Sequence, residues 1–161
     1  MRELLVSARW REPPNLAVVV RNYTTHWIKN PDPGSKFERQ TKFIRWLPGR
    51  MLIHLLEWKG YDGLLFLEED SERVIGHAFF QRHDDTLHLF SAYVEEERRG
   101  TGLGKSIIRG FLMHAWGTFE MNRARLGAGN SEAMVGLWRQ AHMLNLPFSV
   151  VQGEEDWVYL R

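Results

Sequence analysis

The stretch Arg98-Arg99-Gly100-Thr101-Gly102-Leu103-Gly104-Lys105-Ser106 lies between an apolar, strand-like run and a long amphipathic run. Its three glycines stand at alternate positions and leave backbone N–H groups uncovered by side chains. A helix that begins here directs the positive end of its dipole toward the same N–H groups. The stretch therefore predicts an anion-binding turn, and phosphate is the anion that suits it best.

Two common phosphate-binding loops do not fit this stretch. The Walker A loop, G-x-x-x-x-G-K-[ST], is matched only in its second half, because Arg99 stands where the first glycine is required. The dinucleotide fingerprint, G-x-G-x-x-G, fails in both registers. Lys105 takes the place of the third glycine in one register, and Ile107 takes it in the other. A different phosphate-binding turn is therefore expected.

The chain around this turn predicts a mixed α/β fold. Three strands, 64–68, 73–82 and 86–94, are separated by polar turns and favour an antiparallel meander. Apolar side chains then recur at helical spacing from Leu103 to Ala115. Further predicted elements are a strand at 123–127, a helix at 131–143 with Asn130 as its N-cap, and strands at 147–151 and 157–160. Before the meander, the pattern predicts a strand at 16–20 and helices at 35–47 and 51–58.

Composition limits the class of protein. The 161 residues are enough for one domain, 1–161, with a full core. The formal net charge of +1 gives no general attraction to nucleic acid or membranes. The chain has no cysteine, which excludes disulfides, thiolate zinc sites and a cysteine nucleophile. No signal peptide or membrane-spanning segment is evident, so we expect a cytoplasmic protein without nucleic-acid or membrane partners.

Two motifs carry a resemblance to a known family. The run from Ala92 to Ile108 resembles motif A of the GNAT superfamily of acyl-CoA-dependent N-acyltransferases, R/Q-x-x-G-x-G/A, through Arg99, Gly102 and Gly104. The run from Asn130 to Trp138 resembles motif B of the same family, N-x-x-A-x-x-L/F-Y. The resemblance covers residues 62–161 and implies a GNAT-like fold. Such a fold has a mixed, mostly antiparallel sheet of six to seven strands, splayed at its centre and flanked by about four helices.

The resemblance also implies a coenzyme A site. Backbone N–H groups of the glycine turn would hold the diphosphate, and the strand before it would pair with the pantetheine amides and offer an N–H to the thioester oxygen. Asn130 would lie near the pantetheine arm. The implied cofactor-binding residues are Ala92, Tyr93, Val94, Arg99, Gly100, Thr101, Gly102, Leu103, Gly104, Lys105 and Asn130.

His88 is the candidate general base, because an amine acceptor must lose a proton and histidine can take one near pH 7. In the family's histone acetyltransferases, the catalytic glutamate stands at the equivalent place. If Asp84-Asp85 is a two-residue turn, His88 pairs with Gln81 and Phe79 pairs with Phe90. One face of the sheet would then carry His77, Phe79, Gln81, His88, Phe90 and Ala92.

Alternative interpretations remain for several of these residues. His88 also suits the half-exposed end of a strand, and the histidines and aspartates near 77–88 suit a polar hairpin tip better than a metal site. Trp138 stands where many family members carry a tyrosine that protonates the leaving thiolate, and it lies either against the cofactor sulfur or in the core. Residues 95–97 are a solvated acidic turn or an attraction for a cationic acceptor.

The expected function is transfer of an acetyl group from acetyl-CoA to a primary amine by direct attack. The alternative is a non-catalytic acyl-CoA-binding or regulatory module on the same fold. The acceptor is a small-molecule or peptide amine that the sequence does not name, and a homodimer is compatible with the fold.

Overall fold

The computed structural model of the chain describes residues 1–6, 51, 54, 58, 60–71, 73–127, 130–154 and 156–161. Their strands are β1 (Arg2–Val6), β2 (Tyr61–Leu67), β3 (Val74–His83), β4 (Thr86–Val94), β5 (Arg123–Leu126), β6 (Val150–Gln152) and β7 (Trp157–Leu160). They form one sheet in the spatial order β1-β2-β3-β4-β5-β7-β6. All neighbouring strands are antiparallel except β4 and β5, which are parallel. The predicted mixed, mostly antiparallel sheet is confirmed.

Two α-helices are described over their full length, α1 (Leu103–Gly117) and α2 (Glu132–Arg139). Short 3₁₀ turns, Glu96–Arg98 and Ala141–Met143, precede α1 and follow α2. The apolar stripe predicted for α1 is buried, and it packs against the sheet in the hydrophobic core. The Phe111 ring meets the Phe80 ring of β3 edge-on, with centroids 5.5 Å apart. One face of the sheet is therefore covered by α1.

The meander of β2, β3 and β4 forms as the sequence predicts. His83 pairs with Thr86, so Asp84-Asp85 is a two-residue turn. Asp84 adopts φ 50°, a left-handed conformation that aspartate tolerates better than most residues. The predicted pairing of Gln81 with His88 is confirmed.

The predicted pairing of Phe79 with Phe90 is wrong, because β4 contains a bulge at Phe90. Phe80 pairs with Leu89 but Phe79 pairs with Ser91, so Phe90 is an extra residue on β4. Beyond the bulge, Ala92 pairs with Ala78, which belongs to the core under α1. Ala92 therefore does not share a face with His88, whereas His77, Phe79 and Gln81 alternate along β3 on the His88 side.

Other predictions differ in their bounds or lie outside the described residues. The sequence pattern missed β1, and the predicted strand at 147–151 begins only at Val150. The predicted strand at 16–20 and helix at 35–47 lie outside the described residues. Of the predicted helix at 51–58, the described positions Met51, His54 and Trp58 are helical. Among the described helices, none is long and apolar enough to cross a membrane.

Candidate active site

The sheet opens at its centre, between β4 and β5. Their parallel pairing runs from Thr86–Arg123 to Leu89–Leu126, and the N–H of Gly127 makes a last bond to the Leu89 carbonyl at 2.8 Å. Strand β4 continues to Val94 while paired with β3 on its other edge. Residues 90–94 therefore turn one backbone edge toward a gap, and the splay expected from the resemblance is confirmed.

The backbone groups that face this gap follow from the strand's alternation. The Ala92 N–H points into the gap, where it donates to the side-chain oxygen of Asn130 at 2.9 Å. Because backbone groups of a strand alternate between its two edges, those of Val94 face the same side. The Val94 carbonyl accepts a bond from Arg99 Nε at 3.4 Å. The gap thus presents the N–H and C=O groups that an added, extended molecule could pair with.

Asn130 bridges the two sides of the gap with one side chain. Besides accepting from Ala92, its Nδ2 lies 2.9 Å from the Gly127 carbonyl and 3.3 Å from each of the Leu89 and Phe90 carbonyls. These bonds satisfy backbone groups at the point where the strands separate, and the Leu89 carbonyl also accepts the Gly127 N–H. The predicted site residue Asn130 is therefore at the splay.

The predicted capping role of Asn130 is wrong. The N-cap of α2 is Ser131, whose hydroxyl accepts the Met134 N–H at 3.3 Å. The spacing of motif B explains the difference, because its asparagine and tyrosine are seven residues apart, whereas Asn130 and Trp138 are eight apart. Ser131 stands at the seven-residue spacing, and Asn130, one residue earlier, turns toward β4 instead of capping the helix.

The glycine turn connects β4 to α1 as predicted, and each of its glycines has its own structural reason. Gly100 and Gly102 adopt φ 78° and 88°, which favour glycine. Gly104 adopts no such angle, but a Cβ there would lie 2.7 Å from Leu137 Cδ1. Gly104 therefore allows α2 to approach the first turn of α1.

The beginning of α1 is suited to an anion. Gly102 occupies the N-cap position and no side chain caps the helix. The first backbone hydrogen bond of α1 runs from the Ser106 N–H to the Gly102 carbonyl at 3.1 Å. The N–H groups of Leu103, Gly104 and Lys105 precede it, and such groups have no acceptor within a helix. The positive end of the helix dipole acts at the same place.

The charged side chains around this turn divide into two groups. Arg73 binds the buried Glu95 at 2.5 Å and Glu97 at 3.3 Å, and Arg98 binds Glu68. These pairs tie the turn to the hairpin of β2 and β3. Within the described residues, neither Arg99 nor Lys105 takes part in an ion pair, and Arg99 Nε is bonded to the Val94 carbonyl beside the gap.

The alternative role of residues 95–97 as an attraction for a cationic acceptor stays a prediction. Arg73 lies against two of the three carboxylates, and the bonds to Glu95 and Glu97 raise the pKa of its guanidinium. One guanidinium balances one of these two carboxylate charges, so Glu95 and Glu97 together keep a net negative charge.

His88 lies in the parallel pairing one pair before the gap, directly across from Arg125. Its half-buried ring meets His83 edge-on at 5.0 Å and Trp157 edge-on at 6.0 Å between centroids. Burial, and then the charges of His83 and Arg125, lower the pKa of His88 from its ordinary value. The imidazole is consequently neutral at pH 7, the form that can accept a proton.

Trp138 belongs to the core. Its side chain is fully buried, its ring lies 5.9 Å from that of Phe111, and its Nε1 donates to the Asp156 carbonyl at 2.8 Å. Of the two placements open to it, the core one is confirmed. Within the described residues, no group of three or more metal-ligating side chains is arranged to hold a metal ion.

The structure brings most of the predicted site residues together. The edge of β4 that faces the gap, Asn130 and the glycine turn surround one end of the gap, while His88 lies four residues before Ala92 on the same strand. Sequence analysis missed Arg125 and Trp157 as neighbours of His88. The sequence showed that Arg125 and Trp157 occupy alternating positions within the predicted strands 123–127 and 157–160. It did not show that β5 and β7 follow β4 in the sheet.

Comparisons with known proteins agree with this architecture. The family model described as Acetyltransferase (GNAT) family matches residues 24–142. This span is well over half of the chain, and the chain therefore belongs to the GNAT acetyltransferase family. No curated protein sequence matches it.

Solved structures share the fold at low sequence identity. Ribosomal-protein-alanine N-acetyltransferase from Brucella melitensis biovar Abortus 2308 is 16% identical, with 95% of this chain and 100% of that chain covered and a TM-score of 0.58. Tetrahymena GCN5 is 10% identical. The match covers 100% of this chain and 97% of that chain, with a TM-score of 0.58. Campylobacter jejuni N-acetyltransferase PseH, solved with acetyl coenzyme A, is 14% identical. The match covers 99% of this chain and 96% of that chain, with a TM-score of 0.52.

Proposed function

We propose that this protein transfers an acetyl group from acetyl-CoA to a primary amine. The observation that carries the proposal is the continuity of the β4 edge that faces the gap, residues 90–94, with the glycine turn that begins α1. The edge can pair with two amides in series, and the turn offers backbone N–H groups to an anion. A molecule with amides followed by a diphosphate, as in coenzyme A, matches this order.

The donor would be held by three kinds of contact. The diphosphate would lie on the N–H groups of the turn, residues 99–105, with Arg99 and Lys105 adding positive charge. The pantetheine amides would pair with the backbone groups of Ala92 and Val94 along β4, and Tyr93 between them directs its backbone groups to β3. Bound acetyl-CoA would supply an activated acetyl thioester. These assignments follow the uncapped helix terminus and the direction of the backbone groups.

The reaction would then rest on Ala92 and His88. The Ala92 N–H would stabilise the developing oxyanion, as a backbone donor does in other acyl transfers. Asn130 holds that N–H in the gap, and the thioester oxygen would replace the Asn130 oxygen. His88, neutral at pH 7, would accept the proton of the attacking amine, directly or through water. The chain has no cysteine, which favours direct transfer over a thioester-linked enzyme.

Donor binding is tested by comparing acetyl-CoA with S-acetylpantetheine, which lacks the diphosphate. Isothermal calorimetry should give much tighter binding of acetyl-CoA, and Arg99→Gln or Lys105→Gln should weaken acetyl-CoA without changing S-acetylpantetheine. Arg98→Gln is the matched control, because it removes the same charge from a side chain paired with Glu68. Equal affinity of the wild-type protein for the two compounds would contradict the diphosphate site.

A second candidate function is a non-catalytic acyl-CoA-binding module. It is favoured by Trp138, a fully buried side chain whose only polar hydrogen is bonded to Asp156. No acidic hydroxyl stands at that position to protonate a leaving thiolate. A free thiol has an ordinary pKa near 8.5, so a thiolate can also leave with help from solvent. Release of free thiol from acetyl-CoA across a panel of amines separates the two functions, since a module would bind without acceptor-dependent release.

A further inference from the structure

The carboxamide of Asn130 lies where the gap between β4 and β5 ends. The gap is closed by the last parallel pair, Leu89 with Leu126, and by the bond from the Gly127 N–H to the Leu89 carbonyl. Asn130 Nδ2 lies 3.3 Å from that carbonyl, and Asn130 Oδ1 lies 2.9 Å from the Ala92 nitrogen. Ala92 is three residues beyond Leu89, at most about 10 Å at the ordinary rise of a strand. The carboxamide therefore fills the interval between the Ala92 N–H and the closed end of the gap.

The two strands approach closely behind the carboxamide. A Cβ on Gly127 would lie 3.0 Å from the Leu89 carbonyl oxygen and 3.4 Å from the Phe90 carbonyl oxygen. Asn130 Nδ2 is bonded to those two carbonyls and to the Gly127 carbonyl. On the α1 side, Ala92 packs against the hydrophobic core. A group that enters the gap from the glycine turn thus meets Asn130 as an end wall.

The order of contacts along β4 decides which part of the donor would reach this wall. The glycine turn follows β4, so a donor with its diphosphate on the turn extends back along the strand, past Val94 and then Ala92. With the thioester oxygen on the Ala92 N–H, the acyl carbons are the part farthest from the turn. They would point toward Asn130. Its three Nδ2 bonds do not involve Ala92, so they can persist when the Asn130 oxygen gives way to the thioester oxygen.

We propose that Asn130 limits the acyl group of the donor to acetyl and excludes longer chains. This rests on the proposed acetyltransfer. Propionyl and butyryl groups extend further along the gap than acetyl, so their added methylenes would overlap the carboxamide or displace it. Overlap forces side chains out of their preferred rotamers. Displacement would remove the Nδ2 donor from three backbone carbonyls at once, and an apolar chain offers no donor in return.

The experiment measures binding of a donor series to the wild-type protein and to variants at position 130. Isothermal calorimetry with coenzyme A, acetyl-CoA, propionyl-CoA and butyryl-CoA needs no acceptor. For the wild-type protein, butyryl-CoA should bind roughly tenfold or more weakly than acetyl-CoA, the scale of an overpacked site. Asn130→Ala removes the whole carboxamide and makes room for the added methylenes. It should therefore remove this difference.

Two further variants keep the test independent of a loss of folding in Asn130→Ala. Asn130→Ser retains a hydroxyl that can accept the Ala92 N–H but is shorter, so it should also admit butyryl-CoA. Asn130→Gln is longer by one methylene and should weaken acetyl-CoA relative to coenzyme A, which is the opposite effect. Ser131→Ala is the matched control, because it loses the cap of α2 and leaves the carboxamide in place. Its acyl preference should equal that of the wild-type protein.

Thiol release with a panel of amines gives a kinetic readout of the same preference. The ratio of kcat/KM for acetyl-CoA to that for butyryl-CoA should fall in Asn130→Ala and Asn130→Ser. Equal wild-type affinity for acetyl-CoA and butyryl-CoA would overturn this inference and leave acetyltransfer intact, since the longer chain would then lie outside the gap. A preference for acetyl-CoA that persists in Asn130→Ala and Asn130→Ser would overturn it as well. Binding of acetyl-CoA without thiol release from any amine would contradict the proposed function itself.

Discussion

The side-chain oxygen of Asn130 accepts the backbone N–H of Ala92 at 2.9 Å, across the gap where β4 and β5 separate. The two residues are 38 positions apart, and no repeating pattern in the sequence connects them. The N–H that the proposed reaction needs for the oxyanion is therefore already directed into the gap. It is held by a group that a thioester oxygen could replace without leaving the N–H unsatisfied.

The stability of the gap should depend on Asn130 more than on the helix cap beside it. Asn130→Ala removes one acceptor and one donor group that together contact four backbone groups, so we expect a loss of about 1–3 kcal/mol in the free energy of unfolding. Ser131→Ala removes only the cap of α2 and should cost about 1 kcal/mol. Urea unfolding of both variants provides the comparison. A larger loss for Ser131→Ala would show that Asn130 is not what holds the splay.

Donor binding should change the environment of the Ala92 amide. In the proposed complex its N–H passes from Asn130 to the thioester oxygen, and the Asn130 side chain loses one partner. Two-dimensional NMR of labelled protein should therefore show shifts of the Ala92 amide and the Asn130 side-chain NH₂ with acetyl-CoA. Free coenzyme A, which has no carbonyl at this position, should shift them less. Identical shifts with both compounds would argue against a thioester contact at Ala92.

Gly104 should be required by helix packing. Gly104→Ala places a Cβ 2.7 Å from Leu137 Cδ1, so the half-buried Leu137 side chain must shift from its rotamer, at a cost of about 0.5–1.5 kcal/mol. The cost should fall when Leu137 is also replaced by alanine, because the two atoms would no longer collide. A double-mutant cycle of unfolding free energies measures this coupling.

Gly136→Ala in α2 is the matched control for that cycle. A Cβ at Gly136 meets no atom within 4 Å, so alanine should stabilise the helix by about 0.4–1 kcal/mol. Additive effects of Gly104→Ala and Leu137→Ala would mean that the close approach of α1 and α2 does not constrain Gly104.

The pKa of the His88 imidazole should report its burial and the charges around it. Burial, His83 and Arg125 lower its pKa in the folded protein, so its imidazole should titrate below the ordinary value of about 6.5. At a pH between the pKa of His88 in the folded protein and its pKa in the unfolded chain, the unfolded chain binds more protons. This group therefore destabilises the fold as the pH falls through 6.5 toward its folded pKa. Above pH 7 it is neutral in both states and contributes no pH dependence.

NMR of the histidine ring protons checks this titration. Arg125→Gln removes the guanidinium charge and should raise the pKa of His88, although burial still lowers it from its ordinary value. Arg109→Gln on α1 should leave it unchanged. A His88 midpoint above 6.5 in the wild-type protein, or a downward shift in Arg125→Gln, would be incompatible with the described surroundings.

The sequence was sufficient where local patterns carry the information. The alternation in β3 and β4, the two-residue turn Asp84-Asp85 and the apolar stripe of α1 predicted a meander followed by a helix, which the structure contains. The motifs led to the family that the comparison with known proteins shows. The bulge at Phe90 escaped prediction, because an inserted residue changes the pairing without changing composition.

What the sequence determined by itself is the glycine turn and its place between a strand and a helix, because glycine content, spacing and helical periodicity are local properties of the chain. The tertiary structure alone decided that Asn130 reaches Ala92, that Gly104 admits α2, and that Arg125 and Trp157 adjoin His88. The physical reason is that these relations depend on the order of strands in the sheet and on contacts between distant segments. Burial of the shared core sets both of these.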